Sequence, residues 1–415
     1  MKEKATIGLL MNSLTNKCME KVISTEKLPI KLWLDDIEDG ALEQAKNLAN
    51  LPFAFHHVAI MPDSHQGYGM PIGGVLATEG VVIPNAVGVD IGCGMCAVKT
   101  SLTELDTETL KRIMGQIREV VPVGFAHHKE AQDEGLMPGS LPLEDRDLPI
   151  VFEQYNSALR QIGTLGGGNH FIEIQKGSDG YIWIMIHSGS RNIGKQVADH
   201  YNKLAVEINE KWYSSVPKAH ELAFLPLDSE EGKDYLREME YCVDFAFANR
   251  KLMMKNIIDI FIKTLDRFSN ITVDECGVDL INIAHNYASM ENHFGHNVLI
   301  HRKGATLARE GTIGIIPGSQ GTKSYIVRGK GNKDSFESCS HGAGRKMGRK
   351  EAERTLDLEA EKKLLDDQGI LHAIRGTGDL DEAPGAYKDI SVVMKNQEDL
   401  VDILVELTPM GVVKG

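Results

Sequence analysis

Apolar and polar positions along the chain alternate at two periods. Residues 39–50 (DGALEQAKNLAN) read as a helix with Asp39 as its cap. Residues 103–120 (TELDTETLKRIMGQIREV) and 195–212 (KQVADHYNKLAVEINEKW) carry apolar residues at helical spacing, and a longer helical stretch runs from about 233 to 265. The Met, Phe and Ile stripe of that last segment reads as core. Short apolar runs at 57–61, 181–187, 279–285, 297–301, 312–318 and 324–329 read as strands, and most end directly in Gly, Ser, His or Asn. Loops at the ends of rigid strands hold functional groups well, so the pattern predicts a mixed α/β chain of α+β class with its chemistry at strand ends. No repeat, low-complexity tract or linker interrupts it.

Composition refines this only at two points. With 42% hydrophobic and 25% charged residues the 415-residue chain is ordinary globular protein. Six cysteines are too few for a disulfide scaffold, the N-terminal apolar run is too short for a signal peptide, and no stretch approaches a membrane span. A cytoplasmic protein is expected. The formal net charge of −14 argues against holding nucleic acid by bulk electrostatics. A local grip on a few phosphates stays open, because basic residues cluster at 301–309 (HRKGATLAR) and 344–354 (GRKMGRKEAER).

Candidate chemistry lies in the glycine-rich segments. In VGVDIGCGMC (87–96), Asp90 and Cys93 can reach one cation, although a buried cysteine and a turn aspartate explain the same letters. Cys93 and Cys96 also form a lone CxxC, with no second pair to complete a zinc site. TLGGGNHFIEI (164–174) is either a phosphate-cradling turn or a plain glycine turn before a strand, and matches neither a Walker loop nor a dinucleotide fingerprint. His187, His285 and His301 each close an apolar run. Imidazoles with a thiolate and a carboxylate make a donor set that Zn²⁺, Mn²⁺, Fe²⁺ or Co²⁺ accepts. IPGSQGTKSYIVRG (316–329) offers hydroxyls and free amides on a turn. In SCSHGAGR (338–345), His341 stands bare among small residues with Arg345 four positions on.

Taken in order, MPDSHQGYG, AVGVDIGCGM, GGGNHFIEI, HSGSRNIG, HNYAS, HRKGAT, PGSQG, SCSHGAGR and the C-terminal VVKG resemble the RtcB family of RNA ligases over nearly the whole chain. The resemblance implies one large domain, residues 1–415, with central β-sheets, outer helices and a buried metal site at strand ends. It implies joining of an RNA 3′-phosphate or 2′,3′-cyclic phosphate to a 5′-hydroxyl, with GTP and two Mn²⁺ ions, in RNA repair or tRNA splicing. By motif, Asp90, Cys93 and His170 would hold one metal, and Cys93, His187 and His285 the second. His341 would carry the guanylate. Its nucleotide contacts would come from Asn169, His170, Phe171, Ile172, Glu173, His285, Asn286, Pro317, Gly318, Ser319, Gln320, Ser324, Gly342, Ala343, Gly344 and Lys414. Arg191 and Arg345 would meet phosphates of RNA or GTP, and Cys96 is surplus to the metal motif. The expected partners are RNA ends and an archease-type activator, with a monomer the favoured state. A metal-dependent phosphoesterase acting on cyclic phosphates without ligation is the alternative, and a nucleophilic His341 separates the two.

Overall fold

The computed structural model describes residues 21–139, 148–265 and 280–415. The N-terminal apolar run, Cys18, Cys276 and the first residue of the strand expected at 279–285 lie outside them.

Two sheets dominate. In the seven-stranded sheet the order is Ile281–Ala284, Gly94–Lys99, Ile182–Ser188, Phe171–Gly177, Val401–Lys414, Ser324–Gly329 and Ile313–Ile316. Strand alternation sorts its side chains into two cores. Met95, Ala97, Trp183, Met185, Ile326 and Leu407 share the concave face. Residues from both edge strands, Ile281 and Ile283 on one and Ile313 and Ile315 on the other, join the same cluster, so the sheet curls nearly closed. Cys96, Val98, Ile172, Ile174, Ile184 and Ile186 form the opposite face, covered by helices Thr107–Val120 and Glu230–Leu265. That placement explains Cys96: it is fully buried among aliphatic side chains, and burial pushes its thiol up to about 12. Cys96 is a packing residue.

The six-stranded sheet runs Lys21–Ile23, Ile30–Leu32, Ala54–His65, Ile72–Thr78, His296–Lys303 and Asn286–His293. Helix Asp39–Ala49 covers one face through Ala45, Leu48 and Ala49. The other face packs Ala59, Met61, Val75 and Ile300 against Ile316, Tyr325 and Val327 of the first sheet. The chain crosses between the sheets at His285. Its amide donates to Cys93 O at 2.8 Å, Gly92 N donates to Asn286 O at 2.8 Å, and Ala305 N to His285 O at 3.2 Å. No described helix is long and apolar enough to cross a membrane.

Local differences from the pattern have specific causes. Asp39 is the first helical residue, with Glu38 at the cap and no side-chain capping bond. In the segment 103–120 Asp106 is the cap, accepting from Thr109 N at 2.9 Å, so that helix starts at Thr107. The strand expected at 57–61 extends through His65. His301 lies inside a strand that runs on to Lys303, where its Nε2 accepts from Ile83 N at 3.0 Å. The basic cluster at 301–309 is internally satisfied. Buried Arg302 pairs with Glu291, Arg309 with Glu337, and buried Lys303 donates to the carbonyls of Tyr68 and Asn85.

Candidate active site

At the crossover the structure gathers Asp90, Cys93, His170, His187 and His285 from four separate segments. The ligand atoms of Cys93, His187 and His285 lie within 4.8 Å of one another, and so do those of Asp90, Cys93 and His170. Each imidazole is fixed through Nδ1: His170 donates to Leu165 O at 2.9 Å, His187 to Asn169 O at 3.1 Å, and His285 to Asn286 Oδ1 at 3.2 Å. That leaves the three Nε2 atoms pointing inward, those of His187 and His285 as lone pairs and that of His170 against Asp90. His187 and His285 Nε2 are 3.1 Å apart, and both rings are held neutral, their pKa values depressed well below the usual range by burial first and neighbouring imidazoles second. Two lone pairs at that distance repel unless one cation binds both. The remaining contacts fit the same reading: Cys93 Sγ sits 3.4 Å from His170 Nε2 and 3.3 Å from His187 Nε2, and His170 Nε2 is 3.0 Å from Asp90 Oδ2.

Electrostatics sharpen the case. Burial opposes ionisation of Asp90, but the hydrogen bond and charge of His170, with Arg191 behind them, hold its carboxyl down at about 2. Burial, followed by the charge of Asp90, pushes the Cys93 thiol well above its ordinary value. A protein without a cation keeps this thiol protonated, and a divalent ion reverses that balance. The donor set therefore fits two borderline divalent cations that share Cys93.

Beside the cluster opens a cleft. His341 stands at its floor with its ring centroid 4.8 Å from that of His285. Asp63, fully buried, holds this residue three ways: Oδ2 accepts from His341 Nδ1 at 2.6 Å, from His341 N at 3.0 Å and from Gly342 N at 3.3 Å. Nδ1 thus carries the proton and Nε2 is left bare. Gly344 has φ +72° and its Cα faces the Asp63 carbonyl so closely that a Cβ would come within 2.1 Å of the oxygen, so only glycine closes this loop.

Asn169, Phe171, Glu173, Pro317, Gly318, Ser319, Gln320, Gly342, Ala343, Gly344, Arg345 and Lys414 line the cleft. Ser324 stands behind it, accepting from Gly318 N at 3.1 Å and from Gln175 Nε2 at 3.1 Å. Alternation turns Ile172 away from its neighbours Phe171 and Glu173 and into the core under the helices. Asn286 braces the metal side, donating to Asp90 O at 3.1 Å and accepting from Gly304 N at 2.8 Å. Arg345 donates to Glu382 Oε1, Asp381 O and Met347 O, while the Arg191 guanidinium lies over Gly166. The sequence reading gave no role to Asp63, His65, Arg349, Glu382 or Tyr387, which complete the site. Asp63 and His65 stood in a quoted motif, but nothing in the letters shows a carboxylate reaching a residue 278 positions away. Glu382 and Tyr387 fall among short 3₁₀ turns that have no periodicity to read.

Glu173 is the outlier in the cleft wall. Burial raises its carboxyl to about 8, against the opposing hydrogen bond of Gln175 and charge of Lys414. A folded-state value above the unfolded one stabilises the protein fully below the unfolded pKa, and that contribution is lost as pH rises toward 8. Each unit between about 4.5 and 8 costs about 1.4 kcal/mol. Glu173→Gln should therefore flatten the profile: its melting temperature relative to wild type should rise steadily from pH 5 to pH 8 in the metal-free, ligand-free protein. A constant difference across that range would remove Glu173 as the cause.

Comparison with known proteins bears on the whole chain. The family model described as tRNA-splicing ligase RtcB matches residues 44–141 and 143–415. The RNA-splicing ligase RtcB of Escherichia coli K12 is 38% identical over 414 residues, covering 95% of this chain and 99% of that protein. The tRNA-splicing ligases RtcB of Thermococcus kodakarensis and Methanococcus maripaludis are each 32% identical, covering 94% and 93% of this chain and 95% and 93% of their own lengths.

Proposed function

This chain belongs to the RtcB family, and from that membership we propose that it is a GTP- and Mn²⁺-dependent RNA ligase joining a 3′-phosphate or 2′,3′-cyclic phosphate end to a 5′-hydroxyl through a guanylate carried on His341. The observation that carries this reading is a histidine with its Nδ1 proton held by Asp63 and its Nε2 bare, one ring away from a cluster built for divalent cations. A phosphoesterase needs the cluster but has no use for such a nucleophile.

In this reading Asp90, Cys93 and His170 would hold one Mn²⁺, and Cys93, His187 and His285 the other. Bound there, the ions would neutralise phosphate charge as the bonds to phosphorus exchange. The chain's own groups do the rest. His341 Nε2 attacks the α-phosphorus of GTP, a nitrogen–phosphorus bond forms, and pyrophosphate leaves with the electrons of the broken bond. Asp63 keeps the Nδ1 proton in place and offsets the positive charge that grows on the ring. An oxygen of the RNA 3′-phosphate then displaces the imidazole from the guanylate. The 5′-hydroxyl attacks the activated 3′-phosphate, loses its proton and expels GMP. A cyclic phosphate end is first hydrolysed in the same site: water bonds to phosphorus, the bond to the 2′-oxygen breaks, and a proton from the water passes to that oxygen, leaving the 3′-monophosphate. Asn169, Phe171, Glu173, the Pro317–Gln320 turn, Ser324, the Gly342–Gly344 backbone and Lys414 position the guanylate, and Arg191 and Arg345 meet phosphates. RNA ends, a cytoplasmic setting, a monomeric state over residues 1–415 and an archease-type activator complete the proposal.

The test is incubation of the protein with radiolabelled GTP and Mn²⁺, followed by ligation of RNA carrying 2′,3′-cyclic phosphate and 5′-hydroxyl ends. We expect a covalent label that acid removes and alkali leaves, and a joined product; a wild-type protein that takes no label rules the ligase reading out. Asp63→Asn should slow labelling about 10²- to 10⁴-fold by losing the tautomer control that a carboxylate gives an imidazole, with the metal content unchanged. Labelling at the wild-type rate would leave Asp63 a purely structural role.

A further inference from the structure

A second basic surface lies outside the cleft. It is a groove between helix Thr107–Val120 and the segment from Lys362 to Arg375. Lys111, Met114 and Arg118 share one face of that helix, at i, i+3 and i+7, while Arg112 and Gln116 face the other way toward Thr264. Lys362 and Arg375 stand opposite, and Asp366 is the one carboxylate in the wall, taken by His372 at 3.2 Å. Among the described residues Lys111 and Lys362 form ion pairs with Glu108 and Glu359, three positions away and about four-fifths exposed, so these pairs are weakly held in water.

The central pair is the unusual part. Among the described residues neither the Arg118 nor the Arg375 side chain bonds a carboxylate. Arg375 is aimed by two backbone carbonyls, His372 O at 3.3 Å and Ile374 O at 3.2 Å. Arg118 faces it, and burial followed by the Arg375 charge lowers the pKa of Arg118. Two facing guanidinium groups repel unless an anion joins them. In a chain of net charge −14 the nearby acidic groups are engaged elsewhere: Asp366 with His372, and Asp379 with the backbone amides of Arg375 and Gly376.

The groove is also tied to the cleft. Leu371, in its floor, accepts from Val412 N at 2.8 Å and donates to Met410 O at 2.9 Å. It thereby pairs with Gly411 on the strand that ends at Lys414 in the cleft wall. At about 3.4 Å per residue the two places are about 10 Å apart along that strand.

We propose that this groove binds the sugar-phosphate backbone of the substrate RNA some nucleotides away from the ends being joined, with Arg118 and Arg375 clasping a phosphate between them. It rests on the RNA-ligase reading and extends that reading from RNA ends to the body of the RNA. An acidic protein has to attract a polyanion at a few chosen points, and the released counterions make that contact visible as salt dependence.

The experiment measures binding of a fluorescent single-stranded RNA of about thirty nucleotides, and of a four-nucleotide RNA with the same ends, over a range of salt concentrations without GTP. Arg118→Gln with Arg375→Gln should lower the salt slope for the long RNA by about 0.7 units, the value for one phosphate on a single strand, and leave the short RNA unchanged. Lys362→Gln should lower it by a further fraction. Lys203→Gln with Lys218→Gln, an equal loss of charge at exposed sites on other elements, should leave the slope alone. An unchanged slope for the long RNA in the arginine variant, equal losses for both RNAs, or the same loss in the Lys203/Lys218 control overturns the proposal. Labelling by GTP, read on the same samples, reports separately on the ligase reading: a labelled arginine variant with an unaltered slope rejects the groove alone.

Discussion

His341→Ala is expected to take no label from GTP and to join no RNA, a loss larger than any other single change in this protein should cause. The argument is geometric. His341 Nε2 faces the cleft while Asp63 occupies Nδ1, and His285, the nearest imidazole, is turned with its Nε2 toward His187. The decisive comparison is with metal content, since His341 lies outside the donor cluster and its removal should leave bound metal near the wild-type level. His341→Gln, which keeps polar volume in the cleft, should fail equally. A variant that still becomes labelled puts the guanylate on another residue. A variant that loses its metal as well would move His341 from nucleophile to ligand.

Cys93→Ala should produce the opposite signature, with loss of both metals and, through them, of activity by about 10³-fold or more. Its sulfur is the one donor atom common to the two clusters, so its deletion removes a ligand from each. Cys96→Ala is the internal control. That side chain lies three residues on, in the aliphatic layer under the helices, and its truncation should cost about 1–2 kcal/mol of stability while metal content stays the same. Elemental analysis after exhaustive dialysis decides the matter. Full occupancy in Cys93→Ala would separate the two clusters and end the shared-sulfur assignment.

Asp90, Cys93 and His170 precede strands in glycine-rich segments and drew their candidate role from the family resemblance, whereas His187 and His285 were legible because an apolar run stops abruptly at each. The same signal misled at His301. The run seems to stop there only because Arg302 and Lys303 are charged, yet both are buried inside the strand, one paired with Glu291 and the other capped by two carbonyls. Charged letters hid the strand's continuation, since pairing that allows burial is a tertiary fact. Asp63 was out of reach for the same reason. Its motif was visible, but its function exists only after one sheet brings residue 63 beside residue 341. The α+β class followed from periodicity, whereas the near-closure of the seven-stranded sheet depends on which edge strands meet, and neither edge announces its partner.

The crossover at His285 has a mechanical consequence. The backbone there passes from one sheet to the other, and three amides (Gly92, His285 and Ala305) are bonded across the seam beside the donor cluster. A cation gripped by His187 in the curled sheet and by His285 on the seam would act as a rivet between the two halves. Hydrogen exchange should register it: with Mn²⁺ bound, these three amides should slow together as one cooperative opening unit, while amides of the outer helices keep their own rates. Docking of the two sheets would then depend on cation supply, and a cell short of metal would hold a looser protein as well as an idle one.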